Sequence, residues 1–233
     1  TMFLRTLLVW LIGLPAILML FFGVVFSFVF LRKSGAAHRI GALGCRIVLG
    51  LAGVRVRVSG MENIPKDRPV VLLSNHEGAF DIPVLQAYIP IRFRWLAKKS
   101  LFSIPVLGWA MSMAGYIPIE RKSATSAYRS MEAAARIIRQ GASVVIFPEG
   151  TRNNGAGLLP FKRGAFILAE KGGADVVPIA IRGTAAIVKK GSLLITQADV
   201  SVAIGRPIQT RGTAEKELQT KIREAIEALL KGL

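Results

Sequence analysis

The pattern of apolar and polar positions separates a long apolar N-terminal stretch from a remainder built of short alternating segments. Residues 7–31 carry no charge and have basic residues on both sides. As a helix, this stretch would reach about 37 Å, which is enough for a hydrocarbon core of about 30 Å. It is too long for the apolar part of a signal peptide. The pattern predicts a transmembrane helix or, because Gly13 and Pro15 interrupt it, a kinked helix embedded in one leaflet.

A second apolar pattern, over residues 36–53, has helical spacing with basic residues between the apolar ones. It predicts an amphipathic helix that either lies at a membrane interface or packs as an ordinary domain helix. The positive charges after residue 31 place the following domain on the cytoplasmic side of the membrane. Residues 1–53 are therefore predicted to form a membrane-embedded helix pair.

From residue 54 onward, strand-like and helix-like patterns alternate. Strands are predicted at 54–59, 70–73, 93–97, 116–119, 143–147, 176–181 and 199–204. Helices are predicted from Asp81 onward and at 106–113, 126–140, 161–171 and 213–230. This alternation is typical of an α/β domain with a largely parallel central sheet flanked by helices, here over residues 54–233.

The strongly positive net charge limits the kinds of molecule that the protein is expected to bind. The net charge is +17, and seven basic residues but no acidic ones precede Glu62. Such a balance suits either nucleic acid or an anionic membrane surface. The positive mean hydropathy and the apolar N-terminus favour the membrane, so no nucleic-acid partner is expected. The single cysteine, Cys45, excludes an internal disulfide and a cysteine-rich metal site.

The first candidate chemistry is the pair His76 and Asp81, which follows the apolar strand 70–73. A neutral imidazole can take a proton from an alcohol, and a nearby carboxylate fixes the ring tautomer and stabilises the imidazolium. Asp81 also stands where a helix begins, so it could serve only as a helix cap, although capping and orienting the histidine are compatible. The pair predicts a general base and its orienting partner.

A second marker, Phe-Pro-Glu-Gly-Thr-Arg at residues 147–152, also follows an apolar strand. Ligand sites of parallel sheets lie at the carboxyl ends of their strands, so this loop and the His76 loop are expected to share a pocket. The glutamate, Glu149, either forms a structural ion pair with Arg152 or contacts a substrate directly. Backbone amides of residues 75–78 are the candidate donors for an oxyanion.

Four segments together resemble a known family. They are residues 75–81, 115–121, 147–152 and 177–179, and their order is that of the four blocks of the glycerolipid acyltransferases. Within that family they are most similar to bacterial 1-acylglycerol-3-phosphate (lysophosphatidic acid) acyltransferases. The resemblance covers roughly residues 54–207. His-x4-Asp alone is a weak pattern, but together with the Phe-Pro-Glu-Gly-Thr-Arg block it is specific.

The resemblance implies a reaction and a set of site residues. An acyl group would pass from acyl-coenzyme A or acyl-carrier protein to the sn-2 hydroxyl of lysophosphatidic acid at a bacterial inner membrane, giving phosphatidic acid. No cofactor, metal or covalent acyl-enzyme is expected. His76 would be the base and Asp81 its partner. The residues assigned by resemblance to the acceptor site are Lys98, Arg121, Glu149, Gly150, Thr151 and Arg152. Ser100 and Asn153 depart from the usual family pattern.

Other functions remain open at this point. The acceptor could be another lysolipid. An esterase is disfavoured because the chain has no Gly-x-Ser-x-Gly elbow. A metallohydrolase is disfavoured because the sequence after His76 and Glu77 lacks the second histidine of a zinc motif. A membrane-anchored protein that binds anionic lipids fits the charge and the apolar N-terminus, and only the two motifs argue against it.

Overall fold

The computed structural model describes residues 2–13, 15, 34–120, 123–189 and 191–233. Within these residues, seven strands form one sheet. They are β1 (Arg55–Ser59), β2 (Val70–Ser74), β3 (Phe93–Lys98), β4 (Ile117–Ile119), β5 (Ser143–Ile146), β6 (Asp175–Arg182) and β7 (Asp199–Ile204). Each predicted strand is present, with ends that differ by at most one residue.

The sheet has the order β1-β7-β6-β2-β5-β3-β4. Every neighbouring pair is parallel except β6 and β7. The predicted largely parallel sheet is therefore confirmed. Because β7 and β1 run against the other five strands, both start at the edge where β2, β3, β5 and β6 end. We call this edge the carboxyl edge.

The residues that the structure describes include seven α-helices. They are α1 (Met2–Leu8), α2 (Ser34–Leu51), α3 (Asp81–Tyr88), α4 (Leu107–Met113), α5 (Ala124–Arg139), α6 (Gly164–Gly172) and α7 (Glu215–Lys231). Helices α2 and α3 pack together against one face of the sheet, whereas α5, α6 and α7 cover the other. The predicted layered α/β architecture is confirmed.

The core explains why the central strands are continuous apolar runs. All five residues of β2 are buried, as are all four of β5. A strand with helices on both faces has no wet side, so it shows no polar alternation. Strand β1 lies at the edge of the sheet, and Arg55, Arg57 and Ser59 on it are exposed. The alternation seen in the sequence at 54–59 follows from this position.

The N-terminal prediction is tested only in part. Helix α1 continues into a short π-helical turn, Val9–Gly13. Most of the predicted membrane segment 7–31 lies outside the described residues. Among the helices that are described, none combines the length and apolar character needed to cross a bilayer. The amphipathic helix predicted at 36–53 is α2, and it packs on α3 as part of the domain.

A buried polar link joins α2 to the domain. Gln86 on α3 donates a hydrogen bond from Nε2 to His38 Nδ1 at 3.3 Å, and its Oε1 accepts from Trp95 Nε1 at 2.8 Å. Burial, with a smaller contribution from Arg92, lowers the pKa of His38 below its ordinary 6.5. The folded state therefore holds this imidazole neutral, as an acceptor for Gln86.

This lowered pKa predicts a stability that depends on pH. Below about pH 6.5 the unfolded chain binds a proton at His38 that the folded chain resists, so the free energy of unfolding falls as the pH is lowered. We expect His38→Asn, whose amide oxygen can still accept from Gln86, to show a shallower loss between about pH 7 and pH 5. Urea unfolding at several pH values measures this. Parallel pH curves for the two proteins would contradict it.

Candidate active site

His76 and Asp81 form a hydrogen-bonded pair at the carboxyl edge. The loop after β2 carries His76, and Asp81 is the first residue of α3. His76 Nδ1 lies 2.6 Å from Asp81 Oδ2. The carboxylate therefore holds the proton on Nδ1 and leaves Nε2 to accept one from a substrate. The ring lies flat on Phe147, with centroids 3.9 Å apart, and borders an open cleft.

Asp81 is a fully buried carboxylate with several donors around it. Its Oδ2 also accepts from the amides of Glu77, at 2.7 Å, and Gly78, at 3.0 Å. The hydroxyl of Thr184 donates to Oδ1. Asp81 does not serve as the helix cap, because the capping position of α3 is Phe80 and the Asp81 oxygens bond the loop before α3 and Thr184.

Thr184 belongs to the loop that follows β6, the strand beside β2. The same loop is held by Glu77, whose Oε2 accepts from the amide of Gly183 at 2.6 Å. A Cβ on Gly78 would lie 2.7 Å from the carbonyl oxygen of Thr184, so the two loops approach too closely for any other residue there. This packing fixes Asp81 between them.

Glu149 is 2 % exposed and joins the loops after β2 and β5. It accepts hydrogen bonds from the amides of His76, at 2.7 Å, and Leu159, at 2.9 Å, and from the side chain of Asn153. These contacts correspond to neither predicted alternative, the ion pair with Arg152 or direct substrate contact. In the structure Glu149 holds the base-carrying loop in position, and its contact with substrate stays a prediction.

The candidate oxyanion donors need correction. Of the loop amides at residues 75–78, that of His76 donates to Glu149, and those of Glu77 and Gly78 donate to Asp81. A donor already bonded to a buried carboxylate is not available for an oxyanion. The amides of residues 76–78 thus organise the His76–Asp81 pair, and a role for the amide of Asn75 stays a prediction.

The cleft beside His76 has a volume of about 600 Å³. One part of its wall is apolar, with Ile82, Trp95, Leu96, Leu101, Leu107, Met111, Tyr116 and Phe147. The rest of the lining includes the polar or basic residues Lys98, Thr151, Arg152 and Asn154. A cleft of this kind suits an amphiphile that has an apolar chain and an anionic group.

Comparison with known proteins places the chain in a family. The family model described as "Acyltransferase" matches residues 55–182, which is more than half of the chain. The chain belongs to the acyltransferase family. A 1-acyl-sn-glycerol-3-phosphate acyltransferase of Saccharomyces cerevisiae is 32% identical over 220 residues, which cover 91% of this chain and 72% of the yeast protein.

Plant relatives are more similar over shorter stretches. Chloroplastic 1-acyl-sn-glycerol-3-phosphate acyltransferases of Brassica napus and Arabidopsis thaliana are 41% and 37% identical, over 65% and 74% of this chain. The chain spans about half the length of these relatives, 44% and 49% respectively. The crystal structure of the 1-acyl-sn-glycerophosphate acyltransferase PlsC of Thermotoga maritima has a TM-score of 0.85 at 26% identity and covers 100% of this chain and 97% of that one.

The structure of this acyltransferase-family chain gathers most of the predicted site residues around one cleft. Lys98, at the end of β3, and Arg152 are exposed and line it, together with Gly150 and Thr151. Gly150 has φ +70°, a left-handed conformation that glycine adopts without strain, so it turns the loop toward the cleft. Arg121 lies outside the described residues, and its role stays a prediction.

Three features of the acyltransferase site escaped the sequence analysis. Thr184 lies outside the quoted motif segments, and it meets Asp81 only because β6 is the neighbour of β2. Asn75, directly after β2, also links this strand to β6, because its side chain exchanges two hydrogen bonds with the backbone of Ile181. Phe147 supplies the surface on which His76 stacks. The signal available for Thr184 was a polar residue in the Gly-Thr turn that follows the end of β6.

The hydrogen bond from Thr184 to Asp81 is expected to contribute measurably to stability and to turnover. Replacing it with valine removes a donor to a buried carboxylate, and such hydrogen bonds contribute about 1.5–3 kcal/mol to stability. We expect Thr184→Val to lower the free energy of unfolding by about that amount and to lower kcat more than KM. Thr184→Ser keeps the hydroxyl and should restore both. Urea unfolding and steady-state kinetics check this, and equal effects of serine and valine would contradict it.

Proposed function

We propose that the protein transfers an acyl group from an acyl thioester to the sn-2 hydroxyl of 1-acylglycerol-3-phosphate, giving phosphatidic acid. The observation that carries this proposal is the position of the His76–Asp81 pair. It borders a cleft whose lining is largely apolar and also includes the basic residues Lys98 and Arg152. The names of the relatives, 1-acyl-sn-glycerol-3-phosphate acyltransferases and PlsC, support the same reaction.

The proposed mechanism uses His76 twice. Its Nε2 takes the proton of the acceptor hydroxyl while the oxygen attacks the thioester carbonyl carbon. Asp81 stabilises the imidazolium that forms, through the bond to Nδ1. Collapse of the tetrahedral intermediate breaks the C–S bond, and the imidazolium returns its proton to the leaving thiolate. No acyl-enzyme forms, and no metal or cofactor enters these steps.

Lys98 and Arg152 are proposed to hold the acceptor's phosphate. A guanidinium can bind two phosphate oxygens at once, whereas an ammonium acts as a point charge. Both side chains are exposed in the cleft lining, so a phosphate can reach them without any rearrangement of the core. The donor would be acyl-coenzyme A or acyl-carrier protein, and the protein would act at the cytoplasmic face of a bacterial inner membrane.

The direct test offers purified protein a set of acceptors and donors. Lysophosphatidic acid, lysophosphatidylglycerol and lysophosphatidylcholine are each supplied with acyl-coenzyme A or acyl-carrier protein, and free thiol and lipid product are measured. We expect turnover with lysophosphatidic acid to exceed that with the other two. Turnover that is equal for all three acceptors would overturn the acceptor assignment. Thioester hydrolysis without acyl transfer would instead support an esterase.

Arg152→Ala should weaken use of the phosphorylated acceptor. The lost bond to a charged group is worth about 1.5–3 kcal/mol, which corresponds to a rise in acceptor KM of roughly tenfold or more. Steady-state kinetics with each substrate varied in turn measure this. Arg57→Ala, which removes an exposed arginine from edge strand β1, is the matched control and should change neither KM. An effect confined to the acyl donor would overturn the phosphate role.

A further inference from the structure

Exposed apolar side chains are concentrated after the end of β3, next to the cleft. Residues 99–109, which we call the apolar loop, run from a 3-10 turn into the start of α4. Its exposed apolar residues are Leu101, Ile104, Leu107 and Trp109. Trp109 is 61% exposed, whereas Gly108 and Met111 on the other side of the same helix are buried. Soluble surfaces rarely keep so many large apolar groups together without a partner.

The loop is built to present these groups outward. The amide of Gly108 donates to the carbonyl of Ile104 at 2.7 Å, and Ser103 bonds the carbonyl of Ser100. A Cβ on Gly108 would lie 2.0 Å from the carbonyl oxygen of Phe102, so the backbone closes tightly on itself. These bonds pair several polar backbone groups within the loop, which lowers the cost of placing it in lipid.

A second exposed apolar group lies across the cleft at the same edge. Helix α1 carries Phe3, Leu4 and Leu7 outward. Its Thr6 accepts a hydrogen bond from the amide of Ile195, in the loop that joins β6 to β7. That loop is at the carboxyl edge near β1, whereas the apolar loop follows β3 on the other side of β2 and β5. The cleft thus opens between two apolar groups on one edge.

The basic residues beside the apolar loop indicate which kind of partner covers it. The exposed lysines Lys98 and Lys99 stand at the base of the apolar loop. Lysine at the border of an apolar surface, with tryptophan beside it, is the combination that fits the headgroup level of an anionic bilayer. A protein partner would need complementary acidic groups as well as an apolar patch, and a lipid leaflet supplies both over its whole area.

We propose that the apolar loop inserts into one leaflet of an anionic phospholipid bilayer, as a lipid contact separate from α1. With α1 on the other side, two contacts would set the carboxyl edge against the membrane and open the cleft to lipids of that leaflet. The benefit for a lipid acceptor rests on the proposed function, but insertion itself does not and is tested independently of activity.

The chain's own tryptophans give a direct test. Trp10→Phe leaves Trp109 and the buried Trp95, which is 5% exposed. This variant of the full chain is mixed with phosphatidylglycerol–phosphatidylcholine vesicles whose acyl chains are ordinary or brominated. We expect bromine to quench a large share of the emission. The emission of the matched Trp10→Phe/Trp109→Phe protein, which comes from Trp95 alone, should be quenched little by bromine. Equal emission in both kinds of vesicle, or no co-sedimentation with them, would overturn the proposal.

A second variant ties insertion to substrate access. Ile104→Ser/Trp109→Ser removes two exposed apolar groups that do not line the cleft. We expect the vesicle dissociation constant and the KM for vesicle-borne lysophosphatidic acid to rise by about tenfold or more, because burial of two large side chains in lipid is lost. Turnover of a soluble short-chain lysophosphatidic acid should not change. Met61→Ser, at the opposite edge of the sheet, is the matched control.

The two assays separate this proposal from the proposed function. Quenching of Trp109 by brominated lipid supports insertion even if every acyl acceptor fails. Normal turnover of soluble substrate by a protein whose Trp109 is not quenched would support the acyltransferase and overturn insertion. Loss of activity toward soluble substrate in the double serine variant would also count against the proposal, since it would give these side chains a structural or catalytic role.

Discussion

His76→Ala is expected to lower kcat for acyl transfer by about 10²–10⁴-fold, the contribution typical of a well-placed general base. The reason is geometric. Asp81 engages Nδ1 at 2.6 Å, so Nε2 is the ring atom left to take the hydroxyl proton at the border of the cleft. Removal of the ring leaves Asp81 too deeply buried to act in its place. Steady-state kinetics with saturating acceptor and donor measure the loss.

The chain offers a matched control for this variant. It has two histidines, and the other one, His38, lies on α2 and bonds Gln86. His38→Asn should retain nearly the full rate. His76→Ala should keep its KM values and stay folded, with a free energy of unfolding lower by about 1.5–3 kcal/mol, because buried Asp81 loses one of its donors. Turnover close to that of the unmodified protein would rule out His76 as the base.

The second large effect concerns Asp81. Asp81→Asn keeps an oxygen for the His76 ring and for the amides of Glu77 and Gly78, but it removes the charge that stabilises the imidazolium. A charge-assisted hydrogen bond is worth about 1.5–3 kcal/mol, so kcat should fall by roughly 10- to 100-fold. The amide nitrogen would also face the hydroxyl of Thr184, which then has to accept rather than donate.

Asp81→Ala separates the two roles of this residue. It leaves two buried amides and a hydroxyl without their acceptor, at about 1–3 kcal/mol for each unsatisfied group. We expect a clearly lower free energy of unfolding for alanine and a much smaller change for asparagine, with both variants slow. Urea unfolding and kinetics on the same preparations check this. Equal stability of the two variants would mean that Asp81 does not organise the loop.

The sequence analysis located much of the site because the relevant signals are local. An apolar run followed by His76, or by the Phe-Pro-Glu-Gly-Thr-Arg stretch, predicts a strand end with a polar loop. Parallel strands then bring such ends to one edge without any knowledge of strand order. In this way the His76 loop and the loop at residues 147–152 were expected to share a pocket, and the family resemblance added Lys98. The structure places His76, Lys98 and Arg152 around one cleft.

The hydrogen-bond partners of Glu149 could not be predicted from the residues next to it in sequence. A glutamate beside a conspicuous arginine suggested an ion pair or a ligand, whereas the structure directs it to the amides of His76 and Leu159 and to Asn153. Which donors surround a buried carboxylate depends on loops that are distant in sequence. The same holds for the amides of residues 76–78, which were expected to serve an oxyanion and are engaged by Asp81 and Glu149.

By itself the sequence determined the α/β class and the strand positions, and it singled out His76 and Asp81, which the structure brings together. Periodicity and motif order suffice for this because they are properties of contiguous residues. Only the tertiary structure decided the strand order, and with it the contact between Thr184 and Asp81. It also decided that Asp81 bonds the loop before α3 and does not cap the helix, and that the apolar loop and α1 share an edge. The physical reason is that long-range contacts depend on which elements become neighbours in the fold.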